Sequence, residues 1–289
     1  MTTHLKAAHP TPRRRVRPTA ILSYLVLGVG SLLMLAPLFW QLTTSLKSSA
    51  DTMLYPPVLL PIPPQWGNYA ELFERFPFWQ YLWNSTLVTT LVIVGTLISS
   101  SLAAYGFARL RMPGRDLIFM LLLSSLMLPG IVLVIPQFVL FQRLQWINTY
   151  YPLVVPSFFG SAFSIFLLRQ FFLTIPRDLE DAARIDGAGY LRTFAQIVLP
   201  LAGPALVAVA LYSFVSTWND FITPLIYLSD RELFTLPVAL RYLQGGVRSR
   251  PEHHLLMAGA TLAMLPCVLL FLAAQRWFIQ GTVISGVKG

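Results

Sequence analysis

The chain has 289 residues, 55% of them hydrophobic and 11% charged, with a formal net charge of +9. A soluble domain carries about 25% charged residues, so the composition excludes an ordinary soluble globular protein and points to a membrane. The single cysteine, Cys267, rules out an intrachain disulfide and a cysteine-rich metal site; inside an apolar run it reads as a small buried hydrophobe.

In chain order, residues 1–17 carry Lys6, Arg13, Arg14, Arg15 and Arg17 and read as a disordered cytoplasmic tail. Residues 18–289 read as one membrane domain, with no internal repeat. The runs 18–46, 117–142, 144–168 and 255–275 contain no Asp, Glu, Lys or Arg, and each is long enough to cross a bilayer, which takes about 20 helical residues. Residues 84–108 and 193–219 are also free of charge. The first is rich in small residues, among them Gly95, Ser99, Ser100, Ala104 and Gly106, which let membrane helices approach closely. The second contains Pro200, Gly203 and Pro204, tolerated where neighbours satisfy the freed backbone groups. Six spans are expected. The first is too long for a cleaved secretory signal core of about 7–15 residues.

Between the spans, residues 44–83 are expected to form an external loop. Pro56, Pro57, Pro61, Pro63 and Pro64 enforce extended or turning backbone there. Residues 68–76 look like a short amphipathic helix with Tyr69, Leu72 and Phe73 on one side. Trp66, Trp79, Tyr81 and Trp83 suit a membrane–water interface, which explains them without a sugar-stacking role. Residues 107–116, with Met112-Pro113-Gly114, form a tight turn on the opposite side. Residues 220–254 form a second external loop holding His253 and His254, with no third ligand at a spacing that suggests a metal site.

Charge sets the orientation. Alternate segments, starting from the N-terminus, hold 14 basic residues against 7 in the intervening ones. This positive-inside bias places both termini in the cytoplasm of a multi-pass membrane protein. The basic excess is thus a topology signal and not a nucleic-acid footprint.

Residues 169–196 hold four basic and four acidic side chains between two apolar runs. At roughly 3 kcal/mol each, burying them at the bilayer centre would cost on the order of 20 kcal/mol, so this segment is expected outside the hydrocarbon. Pro176 suits a first helical turn, and Asp178, Glu180 and Asp181 lie where the helix dipole favours acids. Glu180 and Arg184 are spaced for an exposed pair worth about 0.3 kcal/mol. Gly187 and Gly189 stop the helix, which is therefore short and spans about residues 177–186. Ala182, Ala183 and Gly187 are small enough for another surface to come close. An ordinary juxtamembrane helix would show the same periodicity.

The spacing Asp181-Ala182-Ala183, three residues, Gly187, nine residues, Ile197, one residue, Leu199-Pro200 resembles the EAA loop of binding-protein-dependent ABC importer permeases, with Asp181 where that family has Glu. Asn84-Ser85-Thr86, Ala103 to Arg109, Ala182 to Ala188, Trp218-Asn219-Asp220-Phe221 and the final Gly286-Val287-Lys288-Gly289 are similar to the carbohydrate-uptake branch, above all to the second, maltose-type permease. The resemblance implies an all-α membrane fold with six transmembrane helices and a cytoplasmic coupling helix between the fourth and fifth. It implies a prokaryotic cell membrane as the location. It also implies a sister permease, two ABC ATPase subunits and an extracytoplasmic solute-binding protein as partners. ATP and magnesium would be used by the ATPase, with no cofactor on this chain. The cargo would be an oligosaccharide, or a related polyol or sugar phosphate; a non-sugar solute is the alternative. Glu180, Asp181, Ala182, Ala183, Arg184, Asp186, Gly187, Ile197, Leu199 and Pro200 would form the ATPase-coupling segment.

The residues agree with a non-enzymatic role. A phosphate-binding loop needs Gly-Lys-Ser/Thr, and none of the three lysines, Lys6, Lys47 and Lys288, follows a glycine. All four histidines fall outside the expected spans, which argues against a membrane-embedded hydrolase. Ion-coupled secondary transporters place ionisable groups within spans; here every one falls in a loop or at a span end. Polar side chains at membrane depth are candidate solute contacts: Asn84, Gln137, Trp218, Asn219 and Asp220.

Overall fold

The charge-free runs become helices. A computed structural model describes residues 18–245 and 251–285, and among these there are helices and loops but no strand. The basic tail at 1–17, Arg248, Arg250 and the final Gly286 to Gly289 lie outside the described residues.

Helix α1 is Pro18–Ser45, α2 Gly67–Arg75 and α3 Phe78–Arg109. Helices α4 and α5 are Arg115–Ser124 and Gly130–Arg143, followed by α6 at Tyr151–Val154, α7 at Ala162–Thr174 and α8 at Asp178–Ile185. Next come α9 at Tyr190–Thr193, α10 at Leu199–Leu201 and α11 at Gly203–Trp218. The chain ends with α12 at Ile222–Tyr227, α13 at Leu236–Arg241 and α14 at His253–Ser285. Four stretches are long and apolar enough to cross a membrane: Leu22–Ser45, Phe78–Arg109, Tyr151–Thr174 and His253–Gln275. The count reaches six when each of two bent pairs is taken as one span. The bends have local causes. Residues Arg115–Met127 and Gly130–Arg143 meet at 100° across Leu128-Pro129, where proline lacks a donor and restricts the residue before it. Residues Tyr190–Leu201 and Gly203–Trp218 meet at 79°, at Gly203-Pro204 and just after a π-helical turn over Phe194–Val198.

Several boundaries differ from those expected. Helix α3 starts at Phe78 rather than Asn84, because Phe78 and Tyr81 are themselves buried in an apolar cluster with Leu72 and Leu236. Residues 144–150 are irregular instead of opening a span: Gln145 and Asn148 adopt positive φ, and Asn148 ties this loop to Asp230. His253 and His254 lie on the first turn of α14, with His254 buried, rather than in the loop before it. In α2, Leu72 is fully buried and Tyr69 half-buried, but Phe73 faces outward and stacks on Trp79 at 5.4 Å.

Helix α3 is the axis of the packing. It lies against α7, α11 and the 3-10 turn Val155–Phe159, while α1 lies on α14. Its small residues make the close approach that they suggested. A methyl carbon at Gly95 would come within 2.7 Å of the Phe158 ring, and Ser99 donates to the carbonyl of Ser157 at 2.9 Å. Gly95→Val therefore overpacks this contact, with an expected loss of about 1–3 kcal/mol, measurable as a lower thermal midpoint in detergent. An unchanged midpoint would refute the contact.

Two apolar clusters flank the axis. One gathers Leu72, Phe78, Tyr81, Trp218, Leu236 and Leu255. The other gathers Tyr105, Leu168, Phe172, Phe194, Val198 and Val209 around the opposite end of α3. Beside the first cluster, the exit of α1 is locked. Lys47 is buried with its ammonium 4.0 Å over the Trp40 ring, and the Asn68 amide donates to the carbonyls of Ser45 and Lys47, each at 2.8 Å. Burial lowers the Lys47 pKa from the usual lysine value, opposed by the nearby Asp51 carboxylate.

Candidate functional site

Helix α8 begins with acids in its first turn and ends on a left-handed residue, Gly187, at φ +82°. The Ala188 amide donates to the Ala183 carbonyl and the Gly187 amide to that of Arg184, a Schellman ending that satisfies carbonyls a helix otherwise leaves open. The helix covers the expected segment to within a residue at each end; Pro176 sits before it instead of in its first turn.

The two adjacent acids of α8 face opposite ways. Glu180 is buried, and its Oε1 lies 2.6 Å from Nε of Arg109, the last residue of α3, with both side chains under 5% exposed. The other end of the guanidinium donates to the Ile175 carbonyl at 2.6 Å, and the Tyr105 hydroxyl is 3.5 Å from Glu180 Oε2. This corrects the expected Glu180–Arg184 surface pair. Arg184 instead approaches Asp181 at 3.5 Å and lies over the Tyr190 ring. Asp181 remains 63% exposed. The acidic partner of Arg109 lies far along the sequence, so no local spacing announces it.

Around Asp181 the outer surface is mixed. Ala182, Asp186 and Gly187 are exposed, Ala183 is turned inward, and no atom would contact a methyl group added at Gly187. Leu179, Ile185, Tyr190 and Leu191 are also exposed, Ile185 by 87%. A cleft of about 650 Å³ separates this surface from the 109–112 turn, lined by Arg111, Met112, Arg177, Arg184 and Tyr190 among others. Ile197, Leu199 and Pro200 belong to the bend behind it. The first two are half-buried and Pro200 is exposed, while Phe194 and Val198 enter the core and Phe194 packs on Tyr105 at 5.1 Å.

The five polar residues singled out at membrane depth do not converge. Both amide hydrogens of Asn84 are used, on the carbonyls of Glu232 at 2.8 Å and Phe234 at 3.0 Å. The Trp218 indole is buried and donates to the Ala263 carbonyl at 3.0 Å. Asn219 bonds back to Val215 within its own helix. Asp220 accepts from the Thr223 amide at 3.1 Å and borders a 70 Å³ hydroxyl-lined void with Thr89, Thr217 and Thr235. That is far below the ~300–1,000 Å³ of small-molecule sites. Gln137 is exposed on α5. No cluster of metal-ligating side chains occurs among the described residues.

Residues 95–283, which take in the C-terminal half of α3, the α8 segment and the bend behind it, match the family described as the binding-protein-dependent transport system inner membrane component. The chain belongs to this family. In it the membrane component is a permease of an ABC importer, and ATP hydrolysis falls to a partner ATPase. The permease is 35% identical over 248 residues to the arabinooligosaccharides transport system permease protein AraQ of Halalkalibacterium halodurans, with 86% of each chain covered. To AraQ of Bacillus subtilis it is 36% identical, covering 90% of this chain and 92% of that one. It is 34% identical over 271 residues to the sn-glycerol-3-phosphate transport system permease protein UgpE of Pectobacterium atrosepticum, covering 92% of the permease and 96% of UgpE. The fold matches a chain from the crystal structure of a bacterial ABC transporter involved in the import of the acidic polysaccharide alginate. That match has a TM-score of 0.81 at 24% identity and covers 93% of the permease and 100% of the other chain.

Proposed function

We propose that this permease passes a saccharide, or a related polyol or sugar phosphate, delivered by an external solute-binding protein, and that α8 is the helix through which an ABC ATPase drives it. The observation that carries the first part is similarity along nearly the whole chain to permeases named for arabinooligosaccharides and for sn-glycerol-3-phosphate. The second part is supported by the outer face of α8 and the start of α9. Leu179, Ile185, Tyr190 and Leu191 are too apolar to favour water, and Asp181, Arg184 and Asp186 among them give a partner specific charges to meet. Apolar residues rimmed by charge characterise protein interfaces. On this reading α8 is cytoplasmic, both termini are cytoplasmic, and each bent pair crosses the membrane once, giving six spans. A sister permease and a second ATPase subunit complete the importer.

The substrate class is tested by deleting the gene and measuring uptake of labelled arabinooligosaccharides, sn-glycerol 3-phosphate and amino acids. Loss of saccharide or sugar-phosphate uptake, restored by the intact gene, is expected. Loss confined to amino acids would reject the saccharide reading.

A further inference from the structure

Two polar clamps sit at opposite ends of one helix. The inner end of α3 is held by the buried Arg109–Glu180 pair and by the Arg109 bond to Ile175, which flank the start of α8. The outer end is held by Asn84 on the carbonyls of Glu232 and Phe234, by Gln80 on Glu232, and by the Ser85 hydroxyl accepting the Leu236 amide at 2.7 Å. Of the three described helices longer than 20 residues, α1 and α14 contain an internal proline and the 32-residue α3 contains none. At 1.5 Å per residue it spans about 48 Å, more than the roughly 30 Å hydrocarbon core. The candidate spans at 115–143 and 190–218 are bent instead.

We infer that α3 is a push-rod between α8 and the external segment Glu232–Leu236, with Arg109 and Asn84 as the positioning residues that fasten its two ends. Displacement of α8 is carried by Arg109 along an unbroken helix and delivered through Asn84 to the loop beside α13. Arg109 suits this task because its hydrogen bond to the Ile175 carbonyl is directional, while the buried ion pair draws Glu180 to the same guanidinium. One guanidinium holds both the Glu180 carboxylate and the Ile175 carbonyl, which fixes the register of α8 on α3. Apolar burial is non-directional and would let the two helices slide. Of the two adjacent acids, Glu180 is therefore the internal fastening and Asp181 the one available to a partner. Asn84 is likewise a mechanical contact, since neither of its amide hydrogens is free for a solute.

The inference rests on the proposed ATPase docking at α8, and its test keeps the two apart. The intact importer, reconstituted in vesicles, is assayed for ATPase retention, solute KM, and solute moved per ATP hydrolysed. The double variant Arg109→Met with Glu180→Leu removes both buried charges, so no unpaired ion is left to unfold the chain. It is expected to retain the ATPase while solute moved per ATP falls about tenfold. Asn84→Ala, at the far end, is expected to lower the same ratio several-fold with solute KM unchanged. A wild-type ratio in either variant would overturn the push-rod. So would a raised KM with an unchanged ratio in Asn84→Ala, which would make Asn84 a solute contact. Loss of ATPase retention in the double variant would overturn the assignment of Glu180 as an internal fastening. The docking reading stands or falls separately, on substitutions at the exposed Gly187.

Discussion

Replacing Gly187 with tryptophan is expected to abolish ATPase retention and solute uptake, while Gly187→Asn keeps both. The position poses two separable demands. Its φ of +82° is one that glycine accepts freely and asparagine tolerates, whereas other side chains are strained there by about 1–2 kcal/mol. Its surroundings are open, with nothing within 4 Å of an added methyl group, so a large side chain meets no obstacle inside the permease itself. Gly187→Ala therefore reports the backbone cost alone. It should lower the thermal midpoint of the isolated permease by an amount worth about 1–2 kcal/mol. Tryptophan adds bulk on the face offered to the partner, and its excess effect over alanine measures docking. Co-purification of the complex and the thermal midpoint of the isolated permease decide the matter. If the tryptophan variant retains the ATPase and transports normally, α8 is not the docking helix.

The second large effect is expected at Arg109. Arg109→Met leaves the Glu180 carboxylate buried without its cation and the Ile175 carbonyl without its donor. Breaking one side of a buried pair costs about 3–5 kcal/mol, whereas replacing both sides with apolar groups is often neutral or stabilising. The single variant is thus expected to unfold at a markedly lower temperature in detergent, and the double variant Arg109→Met with Glu180→Leu to recover most of that loss. Equal midpoints for the wild type and the single variant would mean that the pair contributes nothing to stability.

Local rules reached α8 almost residue by residue. Acids in the first turn, the glycines after the last, and the free-energy cost of eight charges in hydrocarbon together marked its position and its ends. The same local rules misplaced its most buried side chain. The four-residue spacing of Glu180 and Arg184 invited a surface pair, but Ala183 turns inward beside Glu180 and brings it against Arg109. Charge-free runs located the apolar segments as well. What they could not convey was shape. Both 117–142 and 193–219 are uninterrupted in charge but bend sharply, and proline near a bend does not by itself say so, since α1 and α14 carry Pro37 and Pro266 inside continuous helices. His254 reads as a polar loop residue because histidine is neither apolar nor counted as a charge; its burial depends on α2 packing over the start of α14. The polar residues at membrane depth were legible as unusual. That Asn84 serves the fold was not, since its acceptors are backbone carbonyls and carry no sequence signature.

The Arg109–Glu180 contact also constrains how such permeases can be recombined. A loop graft that transplants residues 175–200 from a relative, to redirect the protein toward a foreign ATPase, brings a new residue to face Arg109 while leaving Arg109 behind. Where that residue is not acidic, the chimera inherits a mismatch at a site its exposed surface does not reveal. Functional hybrids should therefore come from exchanges that carry the end of α3 together with the loop, as a single heritable block.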